Sequence, residues 1–392
     1  MKKVLLLAGE ESGVLYAKRI AARLEGVAEV RGFGDYGFKT ADLGVFGIWP
    51  VVKRLFYFLR VKRTMMRAID EWRPDVVCTI DYPGMNLRLA AYAHAKGIRA
   101  VHVVCPQVWA WHQKRIPRIE ASLDKLCCFL PFEPKIFREG FAEFVGHPLM
   151  EEFRDGRYAE KREGAAADGV KTLAVLPGSR LGEIGYHLPI ILKAVEKLAA
   201  EGVKFRVVIP AANDRARRAI EKRLQSVSHC AARRSASTKG TASRRCSTSD
   251  LQPPTFPVSV TDGRAREALA AADAAIVSSG TATLEAALLG CPTVLVYKVS
   301  YLLGEFLRRA IKGTKYVGLA NVIWDRCGGS GVQPMPELLQ ENFTADKVLA
   351  QVRPWLADAE ANAKARAALA ASMALMESDG DAISRITAAF LL

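Results

Sequence analysis

The sequence lacks the features that mark membrane-spanning or secreted chains. No apolar run approaches the ~20 residues that a membrane-spanning helix needs. The first apolar run, at 4–8, is short and is soon followed by Glu10 and Glu11, so it predicts a strand and not a signal peptide. The eight cysteines include no CxxC pair, which removes zinc-ribbon spacing, and those within apolar stretches are expected to be reduced and buried. These absences favour a cytoplasmic protein.

Acidic residues are outnumbered by basic ones, 41 to 56, and the formal net charge is +15. Such a balance favours an anionic partner, whether nucleic acid, a phosphorylated substrate or an acidic membrane, and does not choose among them. A chain of 392 residues is too long for one ordinary core and fits two domains of roughly 150–200 residues. Half of the residues are hydrophobic and a quarter are charged, which is typical of a soluble globular protein.

Strand-like apolar runs alternate with helix-like segments in both halves of the chain. The predicted strands are at 4–8, 28–31, 76–80, 100–104, 125–130, 172–176, 205–209, 274–278 and 293–297. Repeated βα alternation predicts an α/β protein with parallel sheets that are covered on both faces. We therefore expect two Rossmann-like domains whose sheets face a central cleft, because ligands bind beyond the carboxyl ends of such strands.

The expected division is a first domain at 1–165, a second at 166–355, and C-terminal helices at 356–392 that pack back on the first domain. The segment 226–257 is rich in Ser, Thr, Ala and Arg and has little periodicity, so we predict a disordered insertion within the second domain. A nucleic-acid-binding tail is the alternative, but the segment lacks interleaved aromatic residues, and we expect no nucleic-acid partner.

Two loops in the second half combine small residues with the start of a predicted helix. Gly178, Ser179 and Arg180 follow a strand, and a glycine, helix-start amides and an arginine suit a phosphate. An ordinary turn with a surface arginine is the alternative. The loop at 278–285 repeats the arrangement, with candidate contacts to a nucleotide diphosphate at Ser279, Gly280 and Thr281. Glu285, one turn into the helix, could accept hydrogen bonds from ribose hydroxyls. Thr281 as a plain helix cap is the alternative there.

Asp81 stands at the end of the predicted strand at 76–80. A carboxylate at that end of a strand would point into the expected cleft, where it can act as a general base. Capping of the following helix is an equal alternative.

Trp109 and Trp111 also follow a strand, and they lie beside basic residues. This combination suits stacking on a sugar or contact with an acyl chain. The alternative is that both belong to the core, although two side chains that flank Ala110 cannot easily share one burial direction.

The segment 46–66 places apolar and aromatic residues at helical spacing among lysines and arginines. Its candidate membrane residues are Val52, Leu55, Phe56, Phe58 and Leu59. An apolar face rimmed with cations can lie in an anionic membrane interface. A core-packed helix with a solvated basic face is an equal alternative.

Short motifs along the chain, taken as an ordered set, resemble those of the lipid-A-disaccharide synthase family. They are GEESG at 9–13, GIWPVV at 47–52, IDYPGMN at 80–86, PQVWAW at 106–111, LPFE at 130–133, VGHP at 145–148, LPGSR at 176–180, SGTATLEAALLGCP at 279–292 and LANVI at 319–323. They run in family order across almost the whole chain, except for 226–257. As a set they are highly specific, although each motif alone is not.

The resemblance implies a GT-B fold and a glycosyl transfer that inverts the anomeric centre without a metal or cofactor. A 2,3-diacylglucosamine would pass from UDP to the 6-hydroxyl of 2,3-diacylglucosamine 1-phosphate, giving a β-1′,6 linkage. The resemblance implies Asp81 as the base, Arg180 as a diphosphate ligand, and Glu285 and Asn321 in the nucleotide pocket. The implied first-loop and acceptor positions are Glu10, Ser12, Gly13, Asn86, Trp109 and Trp111. A peripheral enzyme of the Gram-negative inner membrane is expected, with a homo-oligomer left open.

Three departures from the family pattern bear on this expectation. Val14 follows Gly13 where the family has an aspartate, Gly84 stands where a second aspartate is common, and the segment 226–257 interrupts the second domain. Two other functions therefore stay open. One is another UDP-sugar enzyme of the same fold, a 2-epimerase or an N-acetylglucosaminyltransferase, against which PQVWAW and GIWPVV argue. The other is a membrane-bound lipid-sugar-binding protein whose activity has decayed at Val14.

Overall fold

The computed structural model describes residues 1–9, 11–38, 55–154, 158, 169–235, 256–310 and 313–391. The chain divides into two compact units, one formed by Met1–Glu152 with Met376–Leu392 and the other by Phe153–Leu375. Each unit contains a six-stranded parallel sheet with helices packed against it, which confirms the predicted α/β class with two Rossmann-like sheets. Within the described ranges, no helix is both long and apolar enough to cross a membrane.

The sheet of the first unit has the order β2-β1-β3-β4-β5-β6. Its strands are β1 (Lys2–Ala8), β2 (Ala28–Gly32), β3 (Val76–Ile80), β4 (Arg99–Val103), β5 (Lys125–Cys128) and β6 (Ala142–Phe144). The helices along this part of the chain are α1 (Glu11–Arg23), α2 (Leu55–Trp72), α3 (Pro83–His94), α4 (Ile116–Glu120) and α5 (Pro148–Arg154).

The central strands of this sheet are buried because they are almost continuous apolar runs. Every residue of β3 is buried, as expected for a parallel strand that is covered on both faces. Its polar residue, Thr79, lies with its hydroxyl 2.7 Å from Nδ1 of the buried His102 on the neighbouring strand. The hydrogen bond removes the penalty that an unpaired buried hydroxyl would carry.

The sheet of the second unit has the order β12-β11-β10-β7-β8-β9. Its strands are β7 (Lys171–Leu176), β8 (Phe205–Ala211), β9 (Val258–Asp262), β10 (Ala274–Ser278), β11 (Thr293–Tyr297) and β12 (Glu337–Leu339). Its helices are α6 (Leu181–Ala200), α7 (Asp214–Ser235), α8 (Ala265–Ala271), α9 (Thr281–Leu288), α10 (Tyr301–Ala310), α11 (Leu319–Arg326), α12 (Ala345–Ala357) and α13 (Ala359–Ala374). The helix α6 packs on the sheet through Leu188, Ile191, Leu192, Val195 and Leu198, all of which are buried.

The segment 226–257 differs from the predicted disordered insertion at both of its ends. Residues 226–235 continue the helix α7. At the other end Phe256 is buried and stacks on Phe205, with ring centroids 5.5 Å apart. A basic, serine-rich composition does not prevent a helix from continuing once an amphipathic first half has been packed. The central residues, 236–255, lie outside the described ranges.

The last helix, α14 (Ala382–Leu391), completes the first unit. Ile386 and Phe390 lie in the same buried apolar cluster as Ile20 of α1 and Leu24, which follows that helix. The backbone amide of Ala382 donates to the Glu151 carboxylate at 2.6 Å. The core of the first unit is therefore built from both ends of its own sequence.

Replacing Phe390 by alanine removes a 1% exposed ring from this core. We expect Phe390→Ala to lower the free energy of unfolding of the first unit by about 3–5 kcal/mol, because a cavity remains where the ring was. The effect is measured by hydrogen exchange of the α1 and α14 amides. Phe56→Ala is the matched control, since that ring is 86% exposed in the same unit. Equal protection in the two variants would contradict the assignment of α14 to this core.

Candidate functional site

In each sheet the strand order reverses beside the first strand of the unit. The reversal falls between β1 and β3 in the first unit, and between β7 and β10 in the second. Ligands of open parallel sheets bind in the crevice that such a reversal creates at the carboxyl ends of the strands. The loops that follow these four strands carry GEESG, IDYPGMN, LPGSR and SGTATLE, so the topology brings the predicted motifs of each unit to its own switch point.

The backbone at the end of β3 adopts an unusual conformation. Asp81 and Tyr82 both have a φ of 51°, and Val104, which follows the neighbouring β4, has a φ of 75°. Residues other than glycine rarely adopt this left-handed backbone conformation, and such strain concentrates at functional sites. The GEESG loop accommodates this conformation because residue 9 is a glycine. A Cβ at Gly9 would lie 2.4 Å from the Cβ of Tyr82. Gly9 is therefore required by the shape of the IDYPGMN loop.

Asn86 maintains the strained turn from inside the protein. Its side-chain nitrogen donates to the carbonyl oxygens of Leu7 at 3.2 Å, Ile80 at 3.0 Å and Asp81 at 2.9 Å. The residue is fully buried on α3. Asn86 thus acts as a positioning residue that joins the ends of β1 and β3.

Asp81 has the environment of a base whose pKa is shifted toward neutral. Its side chain is half-buried, and burial raises the pKa of its carboxyl above the ordinary value. The backbone amide of Tyr82 donates to Oδ1 at 2.7 Å, which opposes the rise in pKa and fixes the carboxylate. A carboxylate held in this way can accept a proton from a hydroxyl.

The rest of the first loop is described only in part. Glu10 lies outside the described residues, as do the side chains of Ser12 and Glu11. Gly13 is buried, and a Cβ there would meet Ile80 at an ordinary contact distance of 3.5 Å. Val14 packs against the apolar core of the first unit, in keeping with its side chain.

The two tryptophans of PQVWAW occupy different environments. Trp109 is 4% exposed, and its indole nitrogen donates to Oε1 of Glu133 at 3.1 Å. This bond joins the PQVWAW motif to the LPFE motif. Trp111 is 46% exposed and lies beside the His112 ring at 5.1 Å. Trp109 is therefore a core residue, while Trp111 is exposed.

Glu133 shares its pocket with two cysteines. The ligand atoms of Cys105, Cys128 and Glu133 all lie within 4.8 Å of one another, a donor set that could hold a metal ion. Burial raises the pKa of the Glu133 carboxyl to about 8 and that of the Cys128 thiol well above its ordinary value. Glu133 accepts from the Trp109 indole and from the Leu130 amide, each at 3.1 Å, so we interpret the cluster as internal packing that supports Trp109.

The LPGSR loop of the second unit is organised around an internal carboxylate. Glu183, on the first turn of α6, accepts from the amides of Ser179 and Arg180 at 3.2 and 3.3 Å, and from the Arg180 guanidinium at 2.9 Å. Gly178 has a φ of 118°, and a Cβ there would lie 2.5 Å from the Glu183 carboxylate. The donors predicted for a phosphate thus converge on an internal carboxylate.

The second small-residue loop leads directly into α9. Gly280, with a φ of 154°, is the residue that caps this helix, and Thr281 is its first helical residue, so Thr281 is not the cap. Ser279 donates its amide to Val296 on β11 at 3.2 Å. Glu285 accepts from Nε of Arg266 at 2.8 Å. Arg266 was not among the residues predicted from sequence, since only the fold brings α8 beside α9.

Asn321 is a structural residue of the same unit. It is fully buried, its side-chain nitrogen donates to the Met335 carbonyl at 2.6 Å and to Glu337 at 2.7 Å, and its oxygen accepts from the Met335 amide at 3.0 Å. Glu337 also accepts from the Gly318 amide, at 2.9 Å. Asn321 therefore anchors the start of α11 to the chain at 335–337.

His187 is a second positioning residue that sequence reasoning missed. Its Nδ1 lies 2.8 Å from the Pro177 carbonyl of the LPGSR loop, and its Nε2 accepts from the Lys298 amide at 2.9 Å. A neutral ring protonated on Nδ1 satisfies both contacts, and burial lowers the pKa of His187, which favours that state. The residue on α6 thus ties the loop after β7 to the chain after β11.

The candidate membrane helix has both a core face and an exposed apolar end. Phe56 and Leu59 are 86% and 37% exposed, whereas Phe58 is half-buried against the core. Val52 lies outside the described residues, as does the side chain of Leu55. The core face of α2 consists of Val61, Met65, Ala68 and Ile69. The core-packed alternative therefore holds for this face of α2, and the membrane role of its exposed end stays a prediction.

Asn86 can be tested with two substitutions that differ in charge. We expect Asn86→Ala to lower the free energy of unfolding by about 1–3 kcal/mol, since buried carbonyls lose their donor. Asn86→Asp keeps the shape but sets a carboxyl group against three carbonyl oxygens, so we expect a larger loss. Hydrogen exchange of the Asp81 amide, which donates to the Val103 carbonyl, measures the effect locally. If the Asn86→Asp variant were as stable as the parent, the hydrogen bonds of Asn86 would not be what stabilises this turn.

The raised pKa of Glu133 predicts that the free energy of unfolding depends on pH. Its pKa is about 8 in the folded chain and 4.5 as the ordinary value, so between these values the unfolded chain has released a proton that the folded chain keeps. The free energy of unfolding should therefore fall as the pH rises through this window. Glu133→Gln removes the titration and flattens the slope, which thermal unfolding at pH 5 and pH 8.5 would reveal. Glu139→Gln, at an exposed position, should leave the slope unchanged.

Comparison with known proteins identifies the family. The model of the family described as lipid-A-disaccharide synthetase matches residues 4–251 and 236–384. The lipid-A-disaccharide synthase of Alcanivorax borkumensis is 34% identical over 368 residues, which cover 90% of this chain and 88% of that protein. The enzyme of that name from Pseudomonas aeruginosa is 34% identical over 374 residues, covering 91% of this chain and 90% of that one.

Solved structures agree on the fold. A putative UDP-N-acetylglucosamine 2-epimerase from Listeria monocytogenes superposes with a TM-score of 0.59 at 13% identity, covering 99% of this chain and 96% of that one. MurG from Acinetobacter baumannii superposes with a TM-score of 0.55 at 15% identity, covering 99% and 98%. At these identities the likeness concerns the GT-B fold alone, while the sequence matches carry the family. The chain belongs to the lipid-A-disaccharide synthase family and is a GT-B glycosyltransferase of lipid A biosynthesis.

Proposed function

We propose that this glycosyltransferase moves 2,3-diacylglucosamine from UDP to the 6-hydroxyl of 2,3-diacylglucosamine 1-phosphate. The bond between that hydroxyl oxygen and the anomeric carbon forms as the bond from the anomeric carbon to the UDP oxygen breaks. UDP leaves with the electron pair, and attack from the opposite face inverts the centre and gives the β-1′,6 linkage. The family supports a UDP-sugar donor and a lipid acceptor.

Asp81 is the single observation that carries the proposal. It stands at the switch point of the first unit, on a strained backbone, with a half-buried carboxylate whose pKa is raised by burial. In the proposed reaction it accepts the proton of the 6-hydroxyl as the oxygen attacks. A base with a pKa near the working pH is suited to that transfer.

The second unit supplies donors for the leaving group. The amides of Ser179 and Arg180, together with the Arg180 guanidinium, already converge on the Glu183 carboxylate. In the proposed complex the UDP diphosphate takes up these donors, and the start of α9 at Gly280 and Thr281 provides further amides. Preorganised donors of this kind stabilise the charge that develops on a leaving group. In the proposed complex Glu285 accepts hydrogen bonds from the ribose hydroxyls, and Arg266 fixes its carboxylate.

The proposed location is the cytoplasmic face of the inner membrane, with α2 at the lipid surface. Phe56 and Leu59 form an exposed apolar end of the helix. Arg60, Arg63 and Arg67 are exposed on the same helix. Apolar insertion combined with cations favours an anionic interface, where each basic residue near the surface adds about 1 kcal/mol.

The decisive test is release of UDP from purified protein that is given both lipid substrates. We expect Asp81→Asn to lower kcat by about 100-fold to 10,000-fold, because the amide cannot take the proton. The amide oxygen still accepts from the Tyr82 amide, so the turn is preserved. In the parent, kcat/KM should rise with pH through the raised pKa of Asp81 and then level off, and this limb should be absent in the variant.

Glu71→Gln is the control, since that exposed carboxyl lies on α2 away from the switch point. Full turnover by Asp81→Asn would remove Asp81 from the role of base. UDP-glucosamine without acyl chains should be a poor donor. Equal turnover with and without acyl chains would instead favour another UDP-sugar activity.

A further inference from the structure

A cavity of about 450 Å³ opens beside the first turns of α3, immediately after Asp81 and Tyr82. One wall is formed by α3 and includes Gly84, Leu87 and Arg88. The other wall is formed by the short 3-10 helix Gln113–Arg115 and by α4. It contributes Arg115, Arg118 and Ile119. All of these residues belong to the first unit, and none has so far been given a role in the proposed reaction.

The cavity carries three positive charges and no carboxylate among its lining residues. Within the described ranges, none of Arg88, Arg115 and Arg118 forms an ion pair. The neighbouring acids are engaged elsewhere: Glu120 accepts from the Arg138 amide at 2.6 Å, and Asp124 accepts from the Ala100 amide at 2.7 Å. Three guanidinium groups around a concave wall create a strongly positive potential. Their fork of N–H donors matches the oxygens of a phosphate.

The remaining lining is apolar and fixed. Leu87 and Ile119 are 8% and 3% exposed and belong to one buried cluster, so they form a rigid floor. Gly84 is exposed, and nothing lies within 4 Å of a Cβ built there. An aspartate, common at this position in the family, would therefore fit, and it would stand one turn before Arg88, where an acid pairs with an arginine. Glycine leaves the charge of Arg88 uncompensated.

We propose that this arginine-lined cavity binds the phosphate monoester of the acceptor. This inference rests on the proposed function, in which the acceptor carries a 1-phosphate and reacts at its 6-hydroxyl. The two groups stand at opposite ends of the sugar ring. The cavity begins two residues after Asp81, so an acceptor anchored by its phosphate presents its far end to the base. The phosphate carries about −1.5 to −2 charges near neutral pH, which the three arginines match.

The first experiment compares binding of 2,3-diacylglucosamine 1-phosphate with binding of the same lipid lacking the phosphate, by calorimetry. The parent should bind the phosphorylated form more tightly. Each of Arg88→Gln, Arg115→Gln and Arg118→Gln should reduce that preference by about 10-fold, the range expected for a hydrogen bond to a charged group. Arg23→Gln removes the same charge from an exposed position on α1 and should keep the preference. An unchanged preference in the triple arginine variant would overturn the inference.

The second experiment measures turnover. The arginine variants should raise KM for the acceptor by a similar factor while KM for the UDP-linked donor stays within twofold. Gly84→Asp should raise the acceptor KM more than Gly84→Asn, because the two side chains differ in charge and hardly in size. Inorganic phosphate should compete with the acceptor in the parent and less in the triple variant. A rise in donor KM alone would assign the cavity to the nucleotide and contradict the proposal.

A third arm separates the acceptor from other phosphate lipids and from failure of the enzymatic role. Binding to vesicles that contain phosphatidic acid should be equal in the parent and the triple variant. A loss of vesicle binding with an unchanged acceptor KM would make the cavity a headgroup site and overturn the inference. If the parent releases no UDP but still prefers the phosphorylated lipid, the proposed function fails while the phosphate site stands. Because the three arginines are exposed, we expect the variants to fold. Thermal midpoints that match that of the parent verify this.

Discussion

The side-chain amide of Asn86 donates to the carbonyl oxygens of Leu7, Ile80 and Asp81, and it thereby joins the ends of two neighbouring parallel strands. Left-handed backbone at Asp81 and Tyr82 is unfavourable by itself and persists where the surroundings over-determine it. A buried amide with three acceptors does so, because its burial is acceptable only while those hydrogen bonds form. The position of the proposed base, and the direction in which α3 starts, both follow from this one side chain.

In the second unit, a charged side chain organises the loop at the switch point. Its LPGSR loop points amides and a guanidinium toward one place, and such donors repel one another unless an anion lies between them. Glu183 provides that anion internally. His187 fixes the loop from behind, through the Pro177 carbonyl. A loop that is already organised around a carboxylate needs little rearrangement to hold a phosphate, so binding energy is not spent on ordering it.

Much of the sheet could be predicted from sequence, because parallel strands buried on both faces are continuous apolar runs. The strands missed are β6 and β12, each three residues long, and β9, whose residues are only partly buried. Motif positions were predictable, but roles were less so. Asn86 and Asn321 were predicted as site residues, and their hydrogen bonds to backbone groups could not be predicted, because they join residues far apart in sequence. Arg266 and His187 carry no local signal, since only packing gives them partners.

Two departures from the family pattern, Val14 and Gly84, share one physical consequence. At each position an uncharged residue stands where an aspartate is common in the family. The first unit therefore has fewer carboxylates, while its arginines remain. A second carboxylate beside Asp81 would raise its pKa by repulsion. Here burial raises that pKa, and the Tyr82 amide is what opposes it. Burial therefore shifts the pKa of this carboxyl without a neighbouring acid, and Val14 packs against the apolar core of the first unit. At Gly84, the absence of an acid one turn before Arg88 on α3 favours the proposed binding of an anionic acceptor.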